Sequence, residues 1–136
     1  MKKFILLLLC TATLGLASCK KDTIVQENVI PRTILYDIPA NAWITTDGGR
    51  SYSTEVNVPE NDNAFNQSGG VIVSMAFDAN RRIFDALPNV FNGASYQFSS
   101  EPNYVVIYVD GIDGQVIPAP SPSRVKIVLV DSELID

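Results

Sequence analysis

The sequence predicts an all-β domain: an antiparallel β-sandwich of about seven or eight strands, Greek-key in its connections and immunoglobulin-like or jelly-roll-like in architecture. Three observations predict it. Apolar residues recur at every second position in several short runs. Proline, glycine, asparagine and aspartate stop each run. No stretch carries the apolar period of a long helix.

The runs follow in order. Arg32 to Ile38 is β-rich and ends at Pro39. Trp43-Ile44-Thr45-Thr46 reads as the next, stopped by the turn signal Asp47-Gly48-Gly49. Tyr52, Thr54, Val56 and Val58 then alternate against Ser53, Glu55 and Asn57, a half-buried strand closed by Pro59. Residues 60–70 read as a polar loop. Val71 to Phe77 is the most apolar run and predicts a central strand. In 78–87, Asp78 either caps a short helix or opens a hairpin, with Asp78-Ala79-Asn80 as its turn and Arg82 to Leu87 as the returning strand. The hairpin is preferred.

Pro88 and Asn92-Gly93 stand where strands must stop. Ala94 to Ser99 and Tyr104 to Val109 are two further strands, and Val116-Ile117 allows a brief return. Prolines 118, 120 and 122 exclude a central strand and predict an extended crossing segment. Val125, Ile127 and Leu129 alternate in the last strand. The segments 59–70 and 118–123 suit crossings from sheet to sheet.

The chain opens with a basic Met1-Lys2-Lys3 and a short apolar run, too short for the roughly 20 residues of a membrane-spanning helix. Leu16-Ala17-Ser18-Cys19 resembles the bacterial lipobox. That resemblance implies a signal peptide over 1–18, cut before Cys19, whose thiol carries a diacylglycerol. A Cys10–Cys19 disulfide is the poorer reading, since both residues lie in the segment to be removed or lipidated. Residues 19–30 become the lipidated cysteine and a polar tether, and 31–136 the sandwich domain. Asp22-Thr23-Ile24 resembles the O-glycosylation motif of Bacteroidetes-type bacteria, at Thr23, against a plain solvated tether as the alternative.

The whole chain has ten Lys and Arg against fifteen Asp and Glu, a net charge of −5. Loss of Lys2 and Lys3 with the signal makes this −7, which argues against a nucleic-acid partner and against electrostatic docking on anionic headgroups. No cysteine follows Cys19, so a hydrophobic core must hold the fold. The chain has no histidine, which removes the usual general base and the commonest transition-metal ligand.

"YDIPANAW", "NVPE", "ALPNVF" before "SYQF", and a closing "RVKIVLV" together resemble a family of small Bacteroidetes-type lipoproteins without known activity. The resemblance implies a single all-β domain on a lipid anchor at the outer membrane. It carries over no functional residue.

Candidate sites are few. Asp110 and Asp113, and separately Glu60 and Asp62, offer oxygen-rich loops for calcium, although turn and solvated loop explain them too. Asp78 with Asp85 is a nominal acid pair for glycoside hydrolysis. The mature chain beyond the tether has Lys126 as its one lysine. No cofactor is expected, and no nucleotide fingerprint occurs. The best binding candidates are aromatic: Trp43, Tyr104 and Tyr108, with Tyr52 and Tyr96 as further members of a sugar-stacking face. Core packing is the competing reading, preferred for Tyr96 and Phe98. The expected function is a non-catalytic, lipid-anchored cell-envelope protein that binds a protein or glycan partner. A carbohydrate-binding accessory role and an acid-pair glycosidase are the alternatives.

Overall fold

Eight strands in two four-stranded antiparallel sheets, an open β-sandwich, make up the architecture of this computed structural model, which describes residues 30 to 135. Cys19, Thr23, the 1–18 signal and nearly all of the tether therefore lie outside the described residues. Among the described residues no helix is long and apolar enough to cross a membrane.

The strands are β1 (Arg32–Ile38), β2 (Ser51–Asn57), β3 (Gly70–Ala76), β4 (Phe84–Ala86), β5 (Asn89–Phe91), β6 (Ala94–Glu101), β7 (Tyr104–Gly111) and β8 (Ser123–Val130). Sheet I has the order β1-β8-β3-β4 and sheet II the order β2-β7-β6-β5. The chain wraps on itself as a jelly roll does, with β1 on β8 and β2 on β7. Inside that wrap, β3–β4 and β5–β6 are local hairpins.

The core is what the alternation dictates. Val56 and Val58, Val105, Ile107 and Val109, and Val125, Ile127 and Leu129 all have zero exposure and lie between the sheets. Burying each such side chain contributes roughly 1.5–3 kcal/mol. Alternation along β7 and β8 thus gives each sheet one apolar inner face and one outer face.

Four elements differ from the sequence reading. Trp43 to Thr46 is not a strand. Only Ile44 pairs, in one bridge to Ser53. The Asp47 carboxylate gathers Thr45 Oγ1 and the Arg50 and Ser51 backbone N–H groups, which curls the segment into a loop. Within the polar stretch 59–70 stands a short helix, α1 (Asn63–Ser68), whose first turn is capped by the Asp62 side chain accepting from Phe65 N. Asn89–Phe91, which the sequence reading assigns to no strand, is a third strand of sheet II's meander. Val116-Ile117 forms no strand, but Ile117 is buried and its N–H donates to Gly49 O at 2.8 Å. The 78–87 segment is a hairpin. Its turn is held by Asp78 oxygens accepting from Arg82 N and Ile83 N, and its returning strand is shortened to β4.

Candidate functional site

Outward side chains of sheet II form the most chemically mixed surface. On β7 the core takes Val105, Ile107 and Val109, so Tyr104, Val106, Tyr108 and Asp110 point away from it. Strand register supplies their neighbours. Asn57 and Glu101 flank Tyr104, Glu55 and Ser99 flank Val106, and Ser53 and Gln97 flank Tyr108. Tyr104 is 42% exposed, while Tyr108 is half-buried.

Hydrogen bonds preorder this face. Tyr108 Oη and Ser99 Oγ lie 3.3 Å apart, and Ser99 Oγ donates to Glu101 Oε1 at 3.2 Å. Gln97 Nε2 donates to Asp110 Oδ2 at 2.7 Å. No lysine or arginine occurs on any of the four strands of sheet II, whereas Glu55, Glu101 and Asp110 all do. Cations are carried by sheet I: Arg32, Arg124 and Lys126. Its outer face is aliphatic, with Lys126 and the Arg124–Asp37 ion pair. Leu35 and Ile72 are exposed there, and Lys126 Nζ sits 4.6 Å from the centre of the Phe84 ring.

The other aromatic candidates do not join Tyr104 and Tyr108. Trp43 is buried in the core at 7% exposure, with its indole N–H unpartnered, so it offers no ring face to a ligand. The 3-10 turn Ala40–Ala42 after Pro39 ends at Trp43, whose side chain joins the hydrophobic core cluster. Tyr52 packs against the core and its hydroxyl donates to Ile117 O at 3.4 Å. Tyr96 is buried and meets Phe77 edge-on. A five-ring sugar face is therefore corrected to two rings.

The acidic candidates are mostly occupied. Asp62 caps α1 and Asp110 accepts from Gln97. Asp113 is exposed in a 3-10 turn with φ of 56°. Among the described residues no three His, Cys, Asp or Glu side chains are grouped to hold a metal ion. The Ile83 and Arg82 backbone N–H groups hold the Asp78 carboxyl below its ordinary range, against a smaller opposing effect of burial. Its oxygens serve the turn, while Asp85 is exposed on β4.

Two features gave no sequence signal. Asn61 has zero exposure although its neighbours Glu60 and Asp62 are exposed. Its Nδ2 donates to Glu101 O at 2.7 Å and Ser100 Oγ at 3.0 Å, binding the 59–70 crossing to the β6–β7 hairpin. The second is a cleft between Phe91 and the proline segment 118–123, lined by no acid. Only the β5–β6 pairing, invisible to local pattern, brings Phe91 there.

No protein-family model matches the chain, and no significant similarity to a curated protein or a solved structure was found.

Proposed function

We propose that the chain is a non-catalytic binding module, anchored through a lipid on Cys19 to the bacterial cell envelope, most plainly the outer membrane. Its binding surface is the outer face of sheet II. One observation carries the reading. That face sets Tyr104 and Tyr108 among carboxylate, amide and hydroxyl groups and has no strand-borne cation. Exposed tyrosine presents an apolar ring with a polar tip. Carboxylates accept from hydroxyls, and amides both donate and accept. Such a surface suits a neutral, hydroxyl-rich chain laid across the strands, which is the carbohydrate-binding form of the proposal.

A glycan array probed with the full chain tests it. Binding to a neutral oligosaccharide is expected, weakened roughly tenfold, or by about 1.4 kcal/mol, in Tyr104→Ala/Tyr108→Ala. An array without hits sinks the glycan form. Intact-mass measurement of membrane-extracted protein tests the anchor, which falls if the Cys19 sulfur is unmodified.

The three carboxylates also favour a second occupant, a basic surface of another envelope protein. That reading predicts binding that fades steeply with salt, unlike sugar binding.

A further inference from the structure

Where β5 meets the proline crossing, a cleft of about 150 Å³ opens to solvent at one end of the sandwich. One wall is made of rings. Phe91 stacks on Phe77 with centroids 4.5 Å apart and planes at 17°, and Tyr96 meets Phe77 edge-on at 4.8 Å and 70°. Pro118 to Ser123 forms the opposite wall. Phe91 is 43% exposed, so its ring is not enclosed by the stack on Phe77.

Tyr96 is the informative residue. It is 9% exposed. Tyr52 and Tyr108 both hydrogen-bond within the protein, but no described group bonds the Tyr96 hydroxyl. Nor is that hydroxyl sealed away, because the one fully enclosed, unpartnered side-chain polar atom among the described residues is Trp43 Nε1. With no partner in the protein, this hydroxyl is left to water or to a ligand that enters the cleft. Burial also pushes its titration up, so near neutral pH it keeps its proton and remains a donor.

The geometry points to a binding site in this cleft for a single neutral, hydroxyl-bearing six-membered ring, stacked on Phe91 and hydrogen-bonded to Tyr96 Oη. Size sets the first limit, since apolar cavities of comparable volume take up one benzene-sized ring. Charge sets the second. No charged side chain lines the cleft, so an ionic ligand would lose hydration without a counter-charge. Hydrogen bonding sets the third. A bare hydrocarbon would displace water from Tyr96 and from Asn92 and Ser121 at the rim without replacing its bonds. A ring of this chemistry comes from two sources, a pyranose unit of a glycan or a phenol. The site lies apart from the outer face of sheet II and does not depend on it.

Titrations of the full chain, followed by NMR at Tyr96 and Phe91, decide it. The probes are a methyl pyranoside, 4-methylphenol and toluene. At least one hydroxylated probe is expected to give saturable shifts at both residues. Toluene binds roughly fivefold more weakly, the worth of one net hydrogen bond. Tyr96→Phe keeps the ring and removes the hydroxyl. It weakens the hydroxylated probe by the same factor and leaves toluene unchanged. Saturation by the pyranoside alone identifies the saccharide source, and by 4-methylphenol alone the phenolic one. The site falls if neither hydroxylated probe saturates, or if toluene binds the wild type as tightly as they do. The latter comparison stands even if Tyr96→Phe loses stability. Tyr104→Ala/Tyr108→Ala retains this binding, which separates failure here from failure of the glycan face.

Discussion

Two long crossings carry the chain from sheet II to sheet I, and they are held in opposite ways. The first, from β2 to β3, is locked by polar groups. Asn61 is fully enclosed, its N–H donates to Val58 O, its carbonyl accepts from Asn103 N, and its amide reaches Ser100 and Glu101. The second, from β7 to β8, is stiffened by Pro118, Pro120 and Pro122. Between residues 118 and 122 no backbone N–H donates to another described residue. A hydrogen-bonded crossing must pack against its acceptors, which closes the space beneath it. Proline restricts φ without needing any contact. That difference lets a cleft exist beside the second crossing.

The comparison breaks hardest at Asn61. Asn61→Ala removes the Asn61 amide from the Glu101 carbonyl and from a part-buried network in which Ser100 and Asn66 keep only each other, and it leaves a hole where a fully enclosed side chain stood. The expected cost is about 2–3 kcal/mol, read by urea denaturation. A loss under 1 kcal/mol would mean that the first crossing is held by its apolar contacts, such as Phe65, instead.

Gly111→Ala attacks the start of the second crossing and ranks next. Gly111 has an ordinary φ, so the issue is space. A Cβ there runs into the Gln115 carbonyl, the close approach that turns the chain out of β7. Overpacking of this kind costs about 1–3 kcal/mol. It should also displace Ile117, whose N–H is fastened to Gly49 O, and so alter the cleft's shape.

The strands of the sandwich were legible because Tyr52 to Val58 and Val125 to Leu129 alternate cleanly. The same period sets Tyr104 and Tyr108 on one face, but both faces of that strand are apolar in sequence, so which of them is outer is shown only by the burial of Val105, Ile107 and Val109. The proline crossing was legible from composition. Asn61 was not, because nothing local separates it from Asn57 and Asn63, both of which are exposed. Three residues are too few for β5 to show a period, and the cleft behind it depends on pairing across the sheet. Trp43 misled for a further reason: a large ring reads alike as core plug and as ligand platform until its surroundings are known.

The loop joining β1 to β2 sharpens the contrast, because its polar lock carries a charge and that of Asn61 does not. Ser51 Oγ and N, then Thr45 Oγ1 and Arg50 N, donate to the Asp47 carboxylate and hold its pKa down from 3.8 to about 2. A depressed carboxyl stabilises the fold above its unfolded pKa, and that contribution is lost as pH falls through the folded value. The stability difference between wild type and Asp47→Ala should therefore be constant near neutral pH and shrink between about pH 4 and about pH 2. The penalty of Asn61→Ala should not change over that window, since an amide does not titrate there. Parallel pH dependence in the two variants would refute the distinction. Asp47 is exposed, so its effect ranks below those of the buried positions.

Pro122→Ala is the gentlest test of whether the end of the second crossing, beyond the bonded Ile117 and the buried Pro120, is held by restriction rather than by contacts. Pro122 is exposed, and nothing in the crossing hydrogen-bonds to it. The substitution adds an N–H that solvent can satisfy and frees φ in the unfolded chain. The cost is then mostly unfolded-state entropy, about 0.4–1 kcal/mol. Denaturation should show a small fall in midpoint with an unchanged slope, because the surface exposed on unfolding stays the same. A loss as large as that of Asn61→Ala would show that Pro122 is packed as tightly as the asparagine, and the opposition between the two crossings would fail.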